Sequence, residues 1–362
     1  MPIVRPVTPT NHTTFVVGAG ASCEFGLKDG AALRDDIHEM VKSFWRESGQ
    51  QFPHIPHWCG EPLPQEELNE APEILLDTLP TSLSIDDCMH THADHRGVQA
   101  LGKWCIAWKI LHQERKSCLL VSKGDRPQAK SFRPKIDHVD GNRIETDARR
   151  SWLTILFQNL TAQCHRDEIE QRLSRVSFIV FNYDRCIEHA LAHLVCWKLG
   201  KRDMAEAQRV AKAATIIHPY GLAAPLNRDD YTRSPAFGLD PIERSVTEWA
   251  QGIRTFTEDA DDSVKLAVRR EIVKARNVVF LGFSFLSLNM QILAAEDRSQ
   301  KRPAQRGFGT CLGMSEMDRR IAQTAADNRV LTQDGDYIEL EDVTCADFML
   351  RNKQAFGFTD PD

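Results

Sequence analysis

The sequence lacks what would mark a membrane or secreted protein. No window approaches the roughly 18 apolar residues of a membrane span. The opening Met1-Pro2-Ile3-Val4-Arg5-Pro6 has neither an apolar core nor a small-residue cleavage site, so no secretory leader is expected. The ten cysteines are scattered, several within apolar runs, and none falls in a Cys-x-x-Cys pair. That speaks against a disulfide framework and fits reduced thiols packed in a cytoplasmic protein. A Gly-x-Ser-x-Gly nucleophile elbow and a Walker phosphate loop are both missing, so neither a serine-nucleophile α/β-hydrolase nor a P-loop protein is read here. Basic residues are not in excess either. With 45 Lys and Arg against 51 Asp and Glu, the net charge is −6, which argues against gripping nucleic acid over a broad face and leaves only a local patch.

What is present, 362 residues with 42% hydrophobic and 27% charged, is the composition of a soluble globular chain able to bury a substantial core. The segment Thr14-Phe15-Val16-Val17 reads as a buried strand that breaks at Gly18 and Gly20 into a helix, an arrangement that presents backbone N–H groups to a phosphate. Gly18 would allow a sharp turn and Gly20 a close approach of pyrophosphate to the backbone. Cys23 stands where the third glycine of G-x-G-x-x-G belongs. Many strand-to-helix turns use glycine for backbone reasons alone, so the turn by itself leaves both readings open.

Beyond it, Leu33, Ile37, Met40-Val41 and Phe44-Trp45 recur at helical spacing, predicting an amphipathic helix to about residue 47. Residues 48–82 are proline-rich and read as a loop with a short helix near 66–76. Ser84-Ile85-Asp86-Asp87 has the form of a capping box. A longer helix follows, with Val98, Leu101, Trp104-Cys105, Trp108 and Leu111 on one stripe and Lys103, Lys109, Gln113 and Glu114 off it. Residues 48–165 thus read as a mainly helical insertion within a single domain spanning 1–362. Inside it, 122–143 is polar and basic, with Lys123, Arg126, Lys130, Arg133, Lys135 and Arg143; a solvated loop is the plainer reading, a contact patch for nucleic acid or a partner the other.

Short apolar runs at 176–181, 215–217, 278–281 and 309–312 read as strands, each preceded or followed by a helical pattern. Strands alternating with helices predict an α/β fold: a Rossmann-like parallel sheet with helices on both faces. Asn182, His218 and Gly282 each follow such a strand, at the edge where open α/β sheets place ligands. Cys88, His90, His92 and His95, or His189 with His193, could be metal ligands, but the first group reads as a solvated helix face and the second lacks the order of a His-Glu-x-x-His motif.

Four stretches, in order, resemble one family. Gly18-Ala19-Gly20-Ala21-Ser22 with Phe25-Gly26-Leu27 and Asp29 resembles the GAGxS…GxPD opening of sirtuins and of the sirtuin-like NADases of bacterial anti-phage defence. Phe181-Asn182-Tyr183-Asp184 resembles their QNID segment in its NYD form. His218-Pro219-Tyr220-Gly221 is similar to their His-Gly step with two residues inserted. Leu281-Gly282-Phe283-Ser284-Phe285 with Asn289 resembles their last nucleotide-binding strand.

The resemblance implies a sirtuin-type domain that takes NAD as substrate and cleaves its nicotinamide–ribose bond, depleting NAD in abortive infection. Asn182 would orient the nicotinamide ribose and a water, His218 would accept a proton, and Asp184 would contact the nicotinamide amide. Gly18, Ala19, Gly20, Ala21, Phe25, Asp29 and Gly282 would surround the cofactor, and Ser22, Ser284 and Asn289 would hold its adenosine half. Sirtuin deacylases carry two Cys-x-x-Cys pairs that bind a structural zinc; their absence implies no zinc here and favours hydrolysis over deacylation. The resemblance further implies a homo-oligomer, or control by a separately encoded ring-forming ATPase translocase or short Argonaute-type protein.

Plainer readings stand beside these: Asn182 as a helix cap, His218 as a structural histidine, Ser284 and Asn289 as turn residues. At the level of function, the alternatives are a sensor or scaffold that holds NAD or ADP-ribose without turnover, and a nuclease component using the basic stretch, for which no carboxylate cluster is evident.

Overall fold

The pentapeptides Thr13–Val17, Val176–Val180 and Asn277–Leu281 are buried at every position, as strands covered on both faces must be. In the computed structural model, which describes residues 12–47, 55, 57–58, 61–121, 132, 135–139, 142–200, 203–227, 233–255, 261–294, 305–331 and 337–356, they form the centre of a six-stranded parallel sheet. The sheet strands are β1 (Thr13–Val17), β2 (Val176–Val180), β3 (Thr215–Ile217), β4 (Asn277–Leu281), β5 (Arg306–Thr310) and β6 (Tyr337–Glu341). Their spatial order is β3-β2-β1-β4-β5-β6. This is the Rossmann order, in which the chain starts in the middle and changes direction between β1 and β4, leaving a crevice at the carboxyl ends of those two strands.

Alternation along each strand divides the interior. Phe15, Val17, Phe178, Val180, Val279 and Leu281 enter one core, shared with helices Trp152–Leu160, Cys186–Leu199 and Cys345–Arg351. Val16, Ile179, Val278 and Phe280 enter the other, shared with helices Gly30–Val41, Gln65–Thr78, Arg96–Lys116 and Asp262–Lys274. The period of two is what a sheet with two covered faces requires. Among the described residues, no helix is long and apolar enough to cross a membrane.

Several details differ from the sequence reading. The stretch 48–165 supplies helices to both layers, and it contains two antiparallel ladders, His57–Trp58 with Glu61–Pro62 and Lys135–Val139 with Asn142–Thr146. Part of the basic segment read as a loop is therefore paired strand, while Lys123, Arg126, Lys130 and Arg133 lie outside the described residues. The helix ending near residue 47 is α-helical to Val41 and π-helical over Lys42–Glu47. Ser84 caps its helix by accepting from the Asp87 amide, and the Asp87 carboxylate reaches the Leu83 amide rather than that of Ser84.

On Arg96–Lys116, residues Lys103, Gln113 and Glu114 are buried rather than off the packed face. Polar partners from distant segments meet Gln113 and Glu114 there, and apolar periodicity cannot register such partners. The sheet also ends in β6 and helix Cys345–Arg351, which the apolar pattern did not single out. As an edge strand, β6 alternates exposed Tyr337 and Glu339 with buried Ile338 and Leu340.

Candidate functional site

The parallel register sets Val17 opposite both Val180 and Leu281. Gly18, Phe181 and Gly282 therefore leave the sheet at one level, and they rim a cavity of about 770 Å³, a size typical of small-molecule and cofactor sites. Gly18, Ala19, Gly20 and Asp29 line it from the first turn, Asn182 and Tyr183 from the end of β2, and Gly282, Ser284 and Asn289 from the end of β4. The segment after β5, Tyr220 and Asp86 close the remaining sides.

The glycines of the turn have a backbone reason. The Gly18 amide donates to the Leu281 carbonyl at 3.0 Å and the Gly20 amide to that of Gly282 at 3.1 Å. The expectation that these two N–H groups are free for a phosphate is corrected: both are committed to the end of β4. A Cβ at Gly18 would lie 2.4 Å from the Gly282 carbonyl oxygen, and one at Gly282 would lie 2.1 Å from the Ala21 nitrogen. Two turns thus cross in contact, and neither tolerates a side chain there.

Not every expected residue faces the cavity. Ala21 and Phe25 are buried in the core beneath it, Phe25 against Trp152. Ser22 and Asp184 form a buried support instead: the Ser22 hydroxyl donates to Asp184 Oδ2 at 2.8 Å, and Asp184 Oδ1 accepts the Cys186 amide at 3.0 Å. Asp184, not Asn182, is therefore the side chain that satisfies the start of helix Cys186–Leu199. Asn182 Nδ2 donates to the Gly18 carbonyl at 3.0 Å and to Ser22 Oγ at 2.8 Å. Because Gly18 O can only accept and the Ser22 proton goes to Asp184, the amide orientation is fixed. What Asn182 offers a ligand is its side-chain oxygen, Oδ1, an acceptor for a water or a sugar hydroxyl.

His218 sits beside Asn182 but does not line the cavity. Its Nδ1 lies 3.1 Å from the Asn182 backbone carbonyl oxygen and its Nε2 lies 2.9 Å from Glu188 Oε1. Both ring nitrogens are engaged, so neither is placed to take a proton from a ligand in the cavity. Burial opposes charge on the ring, but the Glu188 carboxylate and the Asn182 backbone carbonyl outweigh it and raise the pKa above the ordinary histidine value. In this arrangement His218 holds the Asn182 peptide and its ring is turned from the cavity.

No protein-family model and no curated protein matches the chain. The chemistry has to be read from the cavity itself.

Three residues that the sequence did not single out as site residues shape it. Tyr220, one of the two residues inserted after His218, donates its hydroxyl to Asn289 Oδ1 at 2.7 Å and packs against Phe181 at 5.6 Å between ring centroids. Glu24 accepts the Trp152 and Ala346 amides at 2.8 and 2.7 Å, tying the turn to two distant helices. Asp86 is the one whose chemistry stands out. Its carboxylate faces the cavity and accepts the Tyr183 hydroxyl at 2.5 Å. Burial pushes its pKa up to about 6, against the opposing pull of that hydrogen bond and of the Lys103 charge. The only sequence signal for it was its place in the second turn-forming position after Ser84, where it reads as a helix-start acid.

Cys23 also lines the cavity, but burial and the nearby Asp29 and Asp184 push its thiol up to about 11, so it stays protonated and is a poor nucleophile. Among the described residues, no three His, Cys, Asp or Glu side chains gather as a metal site. Cys88 bonds Thr78, His95 accepts the Val98 amide, and His189 packs on His193, both held below the ordinary histidine pKa by burial.

The Asp86 carboxyl gives a prediction with a definite sign. A folded pKa above the ordinary 3.8 means the fold disfavours the charged form, so ionisation costs stability above pH 6 and nothing below about pH 4. Asp86→Asn, which keeps an acceptor for Tyr183, is expected to raise stability at pH 8 by up to about 3 kcal/mol. The gain should shrink as the pH falls through 6. Urea midpoints for both proteins across this range provide the measurement, and equal midpoints at pH 8 would contradict the buried placement.

Proposed function

We propose that the cavity binds NAD+ and hydrolyses its nicotinamide–ribose bond. The observation that carries this reading is convergence: the Gly18–Gly20 turn, Asn182 and the Gly282–Asn289 segment, which come from far apart in the chain, line one cavity at the point where the sheet order reverses. That is where doubly wound folds bind dinucleotides. The resemblance of those same three segments to the sirtuin-like NADases supplies the reaction.

Cleavage builds oxocarbenium character at the sugar carbon while neutral nicotinamide leaves. The chain must therefore place a water and the ribose hydroxyls and handle one proton. The Asn182 side-chain oxygen, Oδ1, is the acceptor for the water or a hydroxyl. Asp86, with a pKa near 6, is ionised at neutral pH and suits the proton acceptor. His218, paired with Glu188, acts behind Asn182 by holding its peptide. Depletion of cytoplasmic NAD in anti-phage defence, and control by self-association or by a translocase or Argonaute-type partner, follow from the resemblance.

One observation favours a second reading. The histidine expected to take a proton is turned from the cavity with both nitrogens engaged, as suits a subunit that holds NAD or ADP-ribose without turning it over.

Incubation of the purified protein with NAD+, followed by assay of nicotinamide, separates the two. Release that falls about 100-fold or more in Asn182→Ala and in Asp86→Asn, with circular dichroism unchanged, is the expected result. Unchanged release in Asn182→Ala would overturn the assignment, and NAD+ binding with no release would select the second reading.

A further inference from the structure

A second cavity, of about 820 Å³, shares Cys23 with the first and otherwise has its own walls. It lies where the Gly26–Lys28 loop, the π-helical extension of Gly30–Val41 and helix Arg96–Lys116 meet. Among the described residues, three lysines line it, Lys28, Lys109 and Lys116, against the carboxylate of Asp36, which pairs with Lys28 at 2.7 Å. Lys109 is half-buried, and burial, with Lys28 and Lys116 in charge range, holds its pKa below the ordinary lysine value.

Two further features point to an absent ligand. Gln113 is 7% exposed and lines the cavity; its Oε1 accepts the Lys28 amide at 3.0 Å, while its buried Nε2 meets no acceptor among the described residues. A buried donor left without a partner is costly, so a small shift of the amide toward an acceptor in the cavity would stabilise it. Beside it, Trp108 and Phe44 supply a partly buried aromatic wall, with Trp108 stacked on Trp104 at 5.0 Å.

Lysines are point-charge partners for phosphate, a side-chain amide reads the edge of a base, and an aromatic wall accepts a planar ring. We propose that this cavity is a second, separate nucleotide site, taking a phosphate-bearing ligand with a planar base. The phosphate is held by Lys109 and Lys116 and the base edge by Gln113. The site stands whether or not the first cavity turns over NAD+.

An azidoadenosine diphosphate photoprobe, with labelled peptides mapped by mass spectrometry, tests it. The expected result is label on peptides of 96–116 or 26–28, in addition to any label at the first cavity. Adenosine and inorganic pyrophosphate should each compete for the 96–116 label. Lys109→Glu with Lys116→Glu is expected to weaken ADP binding there by about tenfold or more, leaving label at the first cavity in place. Lys116 is exposed, so Lys116→Glu alone serves if the double variant misfolds. Gln113→Leu should weaken binding less. Label confined to the first cavity, label on 96–116 that is indifferent to the lysine changes, or competition by pyrophosphate with none by adenosine would each overturn the assignment.

Discussion

Gly282→Val is expected to abolish this fold. Gly282 adopts φ +54, in the left-handed region where a β-branched residue is strained. The larger effect is contact: a Cβ there would lie 2.1 Å from the Ala21 nitrogen and 2.4 Å from the Gly20 carbonyl carbon. All the opposing atoms are backbone, so no rotamer change relieves the overlap. The two turns would have to separate, breaking the Gly20 to Gly282 hydrogen bond and the Gly282 to Thr310 bond. The loss should exceed about 4 kcal/mol, a large share of the roughly 5–15 kcal/mol that holds an ordinary domain together. Gly30 is the control: among the described residues nothing lies within 4 Å of its Cβ position, and Gly30→Ala should leave stability nearly unchanged. Soluble yield and urea midpoints decide the matter. A Gly282→Val chain as stable as its parent would mean that the turns do not cross as described.

The sheet was legible because its central strands are buried on both faces, and a short, wholly apolar run bounded by glycine or asparagine has few other uses. Strand ends were legible for the same reason, which is why Asn182, Gly282, Ser284 and Asn289 were placed on the cavity side. What escaped depends on partners in other segments of the chain. Gly18 and Gly20 look like a phosphate cradle until Gly282 is seen against them. Asn182 looked like a cap for its own helix, but Asp184 does that work, because Ser22 and Gly18 claim the Asn182 amide. His218 follows an apolar strand as expected. Yet its ring direction is decided by Glu188, on a helix whose amphipathic pattern marks that residue as solvent-facing, although it is 3% exposed.

Glu114→Ala and Arg185→Met are each expected to cost about 3–5 kcal/mol, because each leaves the other charge buried and unpaired. The Arg185 side chain is 2% exposed and that of Glu114 0%. The guanidinium meets the carboxylate twice, Nε to Oε1 at 3.1 Å and Nη2 to Oε2 at 2.5 Å, and Nη1 donates to the Pro235 carbonyl at 2.6 Å. Glu114 Oε1 also accepts the Arg185 amide at 3.2 Å. The pair therefore ties helix Arg96–Lys116 to the segment that carries Asn182 and Asp184, and its loss should loosen Asn182 from the Gly18 turn. Combining the two changes removes both charges, so the double variant should be destabilised by clearly less than the sum of the single ones. Urea unfolding of the four proteins gives the coupling directly, provided the slopes agree. Single variants that each cost under about 1 kcal/mol would place the pair in solvent, and the support of the candidate site would then have to be sought elsewhere in the loop.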